Sequence, residues 1–194
     1  MKPARSSAGL PREVRLIGGE WKRSKLPVAD RPGLRPTPDR VRETLFNWLG
    51  QDLSGWRCLD AFAGSGALGF EAASRGAASV VLLERDPQLA RALQAVRERL
   101  KAEQVRIECS DALNWMARSA PAAFDLVFVD PPFDAGLSLP ALAAARRVVA
   151  GGGFVYLEAG APLSAEAATS AGVSVYRQGR AGAVHFHLLR IDGG

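Results

Sequence analysis

The chain has 194 residues, of which 47% are hydrophobic, and its formal net charge at pH 7 is +5. This length and hydrophobic content predict one main folded domain. No run approaches the roughly 18 consecutive apolar residues of a membrane span, and Met1 to Arg5 lead into polar residues rather than into the apolar region of a signal peptide. We therefore expect a cytoplasmic protein with no membrane partner.

The positive charge is concentrated near the N-terminus. Residues 1–50 contain 11 Lys or Arg and 5 Asp or Glu, a net of +6, whereas residues 51–194 contain 14 and 15, a net of −1. Such a cluster favours an anionic partner, most simply nucleic acid, although a solubilising tail would give the same count. We predict a disordered tail over 1–12, a basic extension for RNA contact over 13–50, and the main domain over 51–194.

The basic extension is predicted to contain a hairpin, an extended proline-rich segment and a helix. Gly18-Gly19 separates a short strand from a basic stretch around Trp21, which either contacts a base or anchors a local core. Thr37 is a candidate N-cap for a helix that begins near Pro38. The arginines beside that helix either hold substrate or cofactor or are simply solvated. The candidate RNA-binding residues are Arg15, Lys22, Arg23, Lys25, Arg35, Thr37, Arg40 and Arg42.

A glycine-rich turn follows the first strand of the main domain. The spacing of Gly64, Gly66 and Gly69 fits G-x-G-x-x-G, which serves both dinucleotide and S-adenosylmethionine binders, and a helix over 67–74 should follow. The next predicted strand, over 79–84, ends in Glu84, 20 residues after Gly64 (84 − 64), where a carboxylate accepts bonds from ribose hydroxyls. The sequence therefore predicts a site for an adenosine cofactor, against the alternative of a turn that only packs a helix.

Two further acids follow predicted strands. Asp111 comes just after the strand over 105–109, where it either accepts from an adenine amino group or caps the next helix. Asp130 follows the strand over 124–129 and begins Asp130-Pro131-Pro132-Phe133. The prolines make this loop rigid and remove backbone donors, so the Asp130 carboxylate and the Pro131 carbonyl can accept both hydrogens of an exocyclic amine while Phe133 stacks on the base.

The C-terminal third is predicted to complete the sheet. A helix over 135–149, with Leu139, Leu142 and Val148 facing inward, precedes a strand over 154–158. After a helix near 163–169, a terminal hairpin turns at 179–182. The histidines at 185 and 187 have no third ligand nearby, so we predict no metal site.

These motifs together resemble S-adenosylmethionine-dependent amino-methyltransferases. The segments 15–21, 33–49 and 62–71 resemble, more narrowly, the bacterial family that methylates the N2 amine of guanine 966 in 16S ribosomal RNA. The resemblance implies an α/β fold, Rossmann-like and of methyltransferase class I, with a seven-stranded mostly parallel sheet, helices on both faces and a C-terminal antiparallel hairpin.

The resemblance also implies roles for single residues. It places Asp60, Gly64 and Gly66 at the methionine part of S-adenosylmethionine, Glu84 at the ribose, Asp111 and Ala112 at the adenine, and Asp130 to Phe133 at the target base; Phe62 is a further cofactor-binding candidate. It further implies an enzyme acting on 16S ribosomal RNA within an assembled small-subunit particle. We expect this enzyme to be a monomer.

Four alternatives remain from the sequence. A DNA amino-methyltransferase or a protein glutamine methyltransferase would use the same two motifs. A nicotinamide-dependent oxidoreductase would explain the glycines and Glu84 but not the Asp130 loop. A non-catalytic RNA-binding assembly factor would explain the basic residues but not the three acids Glu84, Asp111 and Asp130.

Overall fold

The computed structural model of the protein describes residues 13–29, 36–132 and 136–192. The strands in these ranges are β1 (Glu13–Arg15), β2 (Lys25–Pro27), β3 (Arg57–Asp60), β4 (Ser79–Glu84), β5 (Val105–Cys109), β6 (Phe124–Val129), β7 (Val149–Ala159), β8 (Val173–Ala181) and β9 (Val184–Ile191). The helices are α1 (Asp39–Trp48), α2 (Ala67–Ser74), α3 (Pro87–Leu100), α4 (Ala112–Arg118), α5 (Ser138–Val148) and α6 (Ala165–Ser170).

The main sheet has seven strands in the order β5-β4-β3-β6-β7-β9-β8. The five strands from β5 to β7 are parallel, and β9 runs antiparallel to both of its neighbours. The chain winds outward in opposite directions from β3 and from β6. This reversal opens a crevice at the carboxyl ends of these two strands, where open α/β sheets bind ligands. The predicted sheet and its C-terminal hairpin are confirmed.

The sheet carries a separate apolar core on each face. Side chains of α1, α2, α3 and the β1–β2 hairpin pack on one face, around Phe70, Phe128 and Tyr156. Side chains of α4, α5 and α6 pack on the other face, around Val127 and Leu189. Because alternate residues of a strand point to opposite faces, each central strand contributes to both cores.

The N-terminal hairpin is attached to the main domain through buried polar groups of α2. The fully buried Glu71 carboxylate accepts from the backbone N–H groups of Ile17 and Gly18, each at 2.8 Å. The Ser74 hydroxyl donates to the Gly18 carbonyl at 2.6 Å and accepts from the Trp21 N–H at 2.9 Å. The Trp21 side chain packs against the same core, so the hairpin and the main domain form one folded unit.

Several local expectations are corrected. The N-cap residue of α1 is Pro38 and no side chain caps this helix, so Thr37 is not the cap. Leu139 is 57% exposed although Leu142 and Val148 are buried, because α5 begins only at Ser138. The terminal hairpin turns later than predicted: residue 181 already pairs with 184 across it.

None of the described helices combines the length and the apolar character that crossing a membrane would require.

Candidate active site

The glycine turn after β3 adopts a conformation that depends on its glycines. Gly64 and Gly66 have φ values of 52° and 77°, in the left-handed region that side chains disfavour. A Cβ atom on Gly66 would also lie 2.7 Å from carbon atoms of Leu93 and Phe70. The turn brings the N-terminus of α2 to the crevice, where backbone N–H groups favour an anionic or polar ligand.

Glu84 at the end of β4 holds this turn in place. One of its carboxylate oxygens accepts from the Gly64 N–H at 3.0 Å, and the other accepts from the Asp86 N–H at 2.8 Å. A carboxylate oxygen has two lone pairs, so each retains capacity for another donor. The half-buried Glu84 side chain therefore fits the predicted bond to ribose hydroxyls, which stays a prediction.

Asp60 at the end of β3 is buried beneath the turn. Its carboxyl accepts from the Gly69 N–H at 2.9 Å, and a Cβ atom on Gly69 would lie 3.1 Å from the same oxygen. Burial raises the pKa of Asp60 to about 7 and outweighs the lowering by the Gly69 hydrogen bond, while the Glu84 charge adds a smaller rise. Asp60 thus fixes α2 against the strand, and its predicted place beside the methionine part of a cofactor stays a prediction.

The predicted adenine-binding residues lie at the end of β5. The exposed Asp111 caps α4, because its carboxylate accepts from the Asn114 N–H at 2.9 Å, which is the structural alternative raised by the sequence. Ala112 is buried, and Phe62 is half-buried against the core around Val127. Contacts of these three residues with a cofactor stay predictions.

Asp130 lies just past the end of β6, beside the strand that leads into the glycine turn. The two strands are in register, with Asp60 opposite Phe128. Burial raises the pKa of Asp130 well above its usual range, and the nearby carboxyls of Glu158 and Asp60 raise it further. Pro131 is buried and Pro132 is exposed, whereas Phe133 lies outside the described residues.

Glu158 and Tyr156 of β7 lie near Asp130, although the sequence analysis did not select them as site residues. The Glu158 carboxylate, at 3% exposure, accepts from the Tyr156 hydroxyl at 2.8 Å and from the Thr37 hydroxyl at 2.9 Å. Burial raises the pKa of Glu158, although both bonds oppose this. The sequence does contain a signal for Glu158, because it is an acid within an otherwise apolar strand. A buried acid in such a position needs a specific hydrogen-bonding partner.

The basic candidates divide into exposed and buried residues. The exposed ones are Arg15, Lys22, Arg23, Lys25 and Arg40. Lys25 forms an exposed ion pair with Glu13 at 2.8 Å. These side chains remain candidates for RNA contact, and Arg35 lies outside the described residues.

Arg42 and Thr37 do not fit the predicted contact with RNA. Arg42 is fully buried, and its guanidinium bonds Asp39 at 2.7 Å, Glu71 at 3.3 Å and the Arg15 carbonyl at 2.8 Å. Thr37 is 6% exposed and its hydroxyl faces Glu158. Both predictions are wrong because the polar groups of these side chains are used inside the protein.

Of the two histidines on β9, His187 is held inside the protein by a hydrogen bond. The buried His187 ring accepts from the Leu163 N–H at 3.1 Å through Nε2. Burial lowers the pKa of His187. Within the described ranges, no group of three or more His, Cys, Asp or Glu is arranged to hold a metal ion.

Known proteins are similar to this chain in both sequence and fold. The family model described as "Conserved hypothetical protein 95" matches residues 14–190, nearly the whole chain. The chain belongs to this family. The relative "Ribosomal RNA small subunit methyltransferase D" of Escherichia coli K12 is 50% identical over 136 residues, which are 70% of this chain and 67% of the relative. The family resemblance predicted from the sequence is thereby confirmed.

Solved structures extend the similarity to the fold. The structure of yhhF from Escherichia coli has a TM-score of 0.81 and 38% identity to this member of the family, and the match covers 94% of this chain and 99% of that one. A precorrin-6y C5,15-methyltransferase from Geobacter metallireducens, at 18% identity, matches with a TM-score of 0.66 over 85% and 93% of the two chains. The fold is therefore the Rossmann-like fold of methyltransferases, as predicted.

Proposed function

We propose that this protein transfers a methyl group from S-adenosylmethionine to the exocyclic N2 amine of a guanine in 16S ribosomal RNA, at guanine 966. One observation carries the proposal: the glycine turn after β3 and the acidic Asp130-Pro131-Pro132 segment after β6 extend from neighbouring parallel strands at one crevice. The relative named as a ribosomal RNA small subunit methyltransferase supports the choice of substrate.

The residues at the turn fit the proposed cofactor. Gly66 leaves no room for a side chain against Leu93 and Phe70, so the turn keeps the tight conformation that brings the start of α2 to the crevice. Glu84 retains lone pairs for ribose hydroxyls. We assign the ribose to Glu84 and the adenine to the Asp111–Ala112 segment. S-adenosylmethionine, when bound, supplies an electrophilic methyl group on a positively charged sulfur.

Asp130 and Pro131 orient the target amine. The nitrogen of guanine N2 is a poor nucleophile because its lone pair is delocalised into the ring. When the Asp130 carboxylate and the Pro131 carbonyl accept its two hydrogens, the lone pair is directed toward the methyl group. Only ionised Asp130 accepts with both oxygens, and it is also placed to receive the proton that the methylated amine releases.

The exposed cations of the N-terminal extension supply the RNA contact in this proposal. Lys22 and Arg23 lie in the loop between β1 and β2, which α2 holds rigidly through Glu71 and Ser74. Phosphates of a folded RNA would bind there while the base enters the crevice. We propose a monomer that acts in the cytoplasm on an assembled small-subunit particle.

Methylation assays on naked 16S ribosomal RNA and on small-subunit particles test this function. With S-adenosylmethionine labelled on its methyl group, we expect label at guanine N2, located by mass mapping of the modified nucleotide. Asp130→Ala should lower turnover by roughly 10²-fold while calorimetry shows nearly unchanged cofactor affinity. Asp125→Ala, at the start of the same strand and paired with Arg57, is the matched control and should keep full turnover.

Two results would overturn the proposal. Unchanged turnover in Asp130→Ala would remove the role of the β6 loop. Binding of NAD without binding of S-adenosylmethionine would favour the oxidoreductase alternative, because a carboxylate such as Glu84 beside a glycine turn can bind the ribose of either cofactor.

A further inference from the structure

Three carboxyl groups lie together at the carboxyl ends of adjacent strands. Asp60 ends β3, Asp130 follows β6 and Glu158 lies near the end of β7, and these strands are neighbours in the sheet. By strand alternation all three side chains point to the face covered by α1 and α2. The charges of Glu158 and Asp60 raise the pKa of Asp130 beyond the effect of burial, so ionisation of Asp130 is disfavoured at this edge of the sheet.

A single hydroxyl connects two of these carboxyls. Thr37 Oγ1 donates to a Glu158 carboxylate oxygen at 2.9 Å, and the same hydroxyl interacts with the Asp130 carboxyl, where it lowers the pKa of Asp130. A threonine hydroxyl has one hydrogen to donate and two lone pairs to accept. When that hydrogen goes to Glu158, the bond to Asp130 requires a proton on Asp130; when it goes to Asp130, Glu158 keeps the Tyr156 hydroxyl as its donor.

The surrounding charges leave the pair without a counterion. Arg42 donates through Nε to the Thr37 carbonyl at 3.2 Å, and its other guanidinium nitrogens bond Asp39, Glu71 and the Arg15 carbonyl. On β9, His187 pairs with Leu157 of β7, and both side chains point to the other face of the sheet, away from the three carboxyls. Across the described parts of the chain, no ion pair joins Asp130 or Glu158 to a Lys, Arg or His.

We propose that Thr37 and Glu158 are positioning residues for Asp130, because the Thr37 hydroxyl bonds Glu158 and bridges to Asp130 where the neighbouring strands β6 and β7 end. In this arrangement the two carboxyls share one proton. The bridge fixes the orientation of the Asp130 carboxyl at the mouth of the crevice. It also ties the segment before α1 to the loop after β6. The catalytic consequence of this bridge rests on the proposed function, whereas the shared proton is a property of the protein alone.

The two partners of Asp130 act on its ionisation in opposite directions. Glu158→Gln removes a like charge, so Asp130 should lose its proton at a pH lower by about one unit or more. Thr37→Val removes a donor to the carboxylate while keeping the shape of the side chain, so Asp130 should lose its proton at a higher pH. A side chain that served only packing would not produce shifts of opposite sign.

Titration of ¹³C-labelled aspartate and glutamate carboxyls by NMR tests the bridge directly. The variants are Glu158→Gln, Thr37→Val and Thr37→Ser, which keeps the hydroxyl and should restore the wild-type titration. Thr44→Val is the matched control, because that hydroxyl only bonds the Arg40 carbonyl within α1. Melting curves confirm that each variant is folded, and Thr37→Ser keeps the test informative where Thr37→Val unfolds.

Turnover measurements give the catalytic consequence. The acid limb of the kcat profile should move down in pH in Glu158→Gln and up in Thr37→Val, and kcat at neutral pH should fall about tenfold in Thr37→Val with little change in KM. Unshifted carboxyl titrations in both variants would overturn the shared proton. Shifted titrations with an unchanged kcat profile in an active enzyme would overturn the positioning role. An inactive wild type would instead refute the proposed function, and the NMR result would still decide the bridge.

Discussion

The Glu84 carboxylate accepts a hydrogen bond from the backbone N–H of Gly64 at 3.0 Å, across 20 residues of sequence. Its other oxygen accepts from the Asp86 N–H, so one side chain joins the glycine turn to the start of α3. The acid that the sequence selects for a ribose is therefore also the residue that sets the shape of the turn. Cofactor binding and the conformation of the turn should be lost together.

Glu84→Ala should lower the affinity for S-adenosylmethionine by roughly 10- to 100-fold, because charged hydrogen bonds contribute about 1.5–3 kcal/mol each. Isothermal titration calorimetry measures this change. Glu103→Ala removes an exposed carboxylate and should leave the affinity unaltered. Equal affinities in wild type and Glu84→Ala would show that this carboxylate does not bind the cofactor.

Gly66→Ala should destabilise the protein for two separable reasons. The positive φ of 77° costs about 1–2 kcal/mol for a residue with a Cβ atom, and contact with Leu93 and Phe70 at 2.7 Å adds about 1–3 kcal/mol of overpacking. Gly50→Ala is a matched control, because Gly50 has a φ of 90° with no atom within 4 Å. Urea unfolding should show the larger loss for Gly66→Ala, and equal losses would mean that the surrounding side chains move away without cost.

Arg42→Ala should lower the free energy of unfolding by about 3 kcal/mol, because it removes a buried cation from the buried Glu71 carboxylate. Lys25→Ala breaks the exposed pair with Glu13 and should cost less than about 1 kcal/mol. Chemical denaturation of both variants compares the two pairs. A small loss for Arg42→Ala would show that Arg75 and the backbone donors of the hairpin are sufficient for Glu71.

The central strands could be predicted from the sequence because their signals are local. The predicted strands over 79–84, 105–109 and 124–129 agree with β4, β5 and β6 residue by residue. Each is a short apolar run between turn residues or an acid, a pattern that needs no knowledge of distant partners. The crevice followed from the same reasoning, since parallel strands end at one edge of a sheet.

The long-range polar contacts could not be predicted in this way. Thr37 and Glu158 are 121 residues apart, and no local pattern indicates that they meet. Nothing in the sequence near Arg42 indicates that it is buried, because its partner Glu71 lies on another helix. Helical spacing predicts an inward face for Leu139, but it does not show that the helix begins only at Ser138.

A double reversal, Lys22→Glu with Arg23→Glu, should weaken RNA binding and reduce its salt dependence. Each cation that neutralises a phosphate adds roughly one to the slope of log K against log salt, so the variant should lose a slope of about two if both side chains contact RNA. Arg180→Glu, an exposed reversal on the edge strand β8, controls for net charge and should leave the slope nearly unchanged. Because Lys22 and Arg23 are exposed residues of the loop between β1 and β2, and not among the crevice residues described above, kcat at saturating RNA should stay close to the wild-type value while KM rises. An unchanged slope in the double variant would assign these cations to solvation alone and leave Arg15 and Arg40 as the candidates for RNA contact.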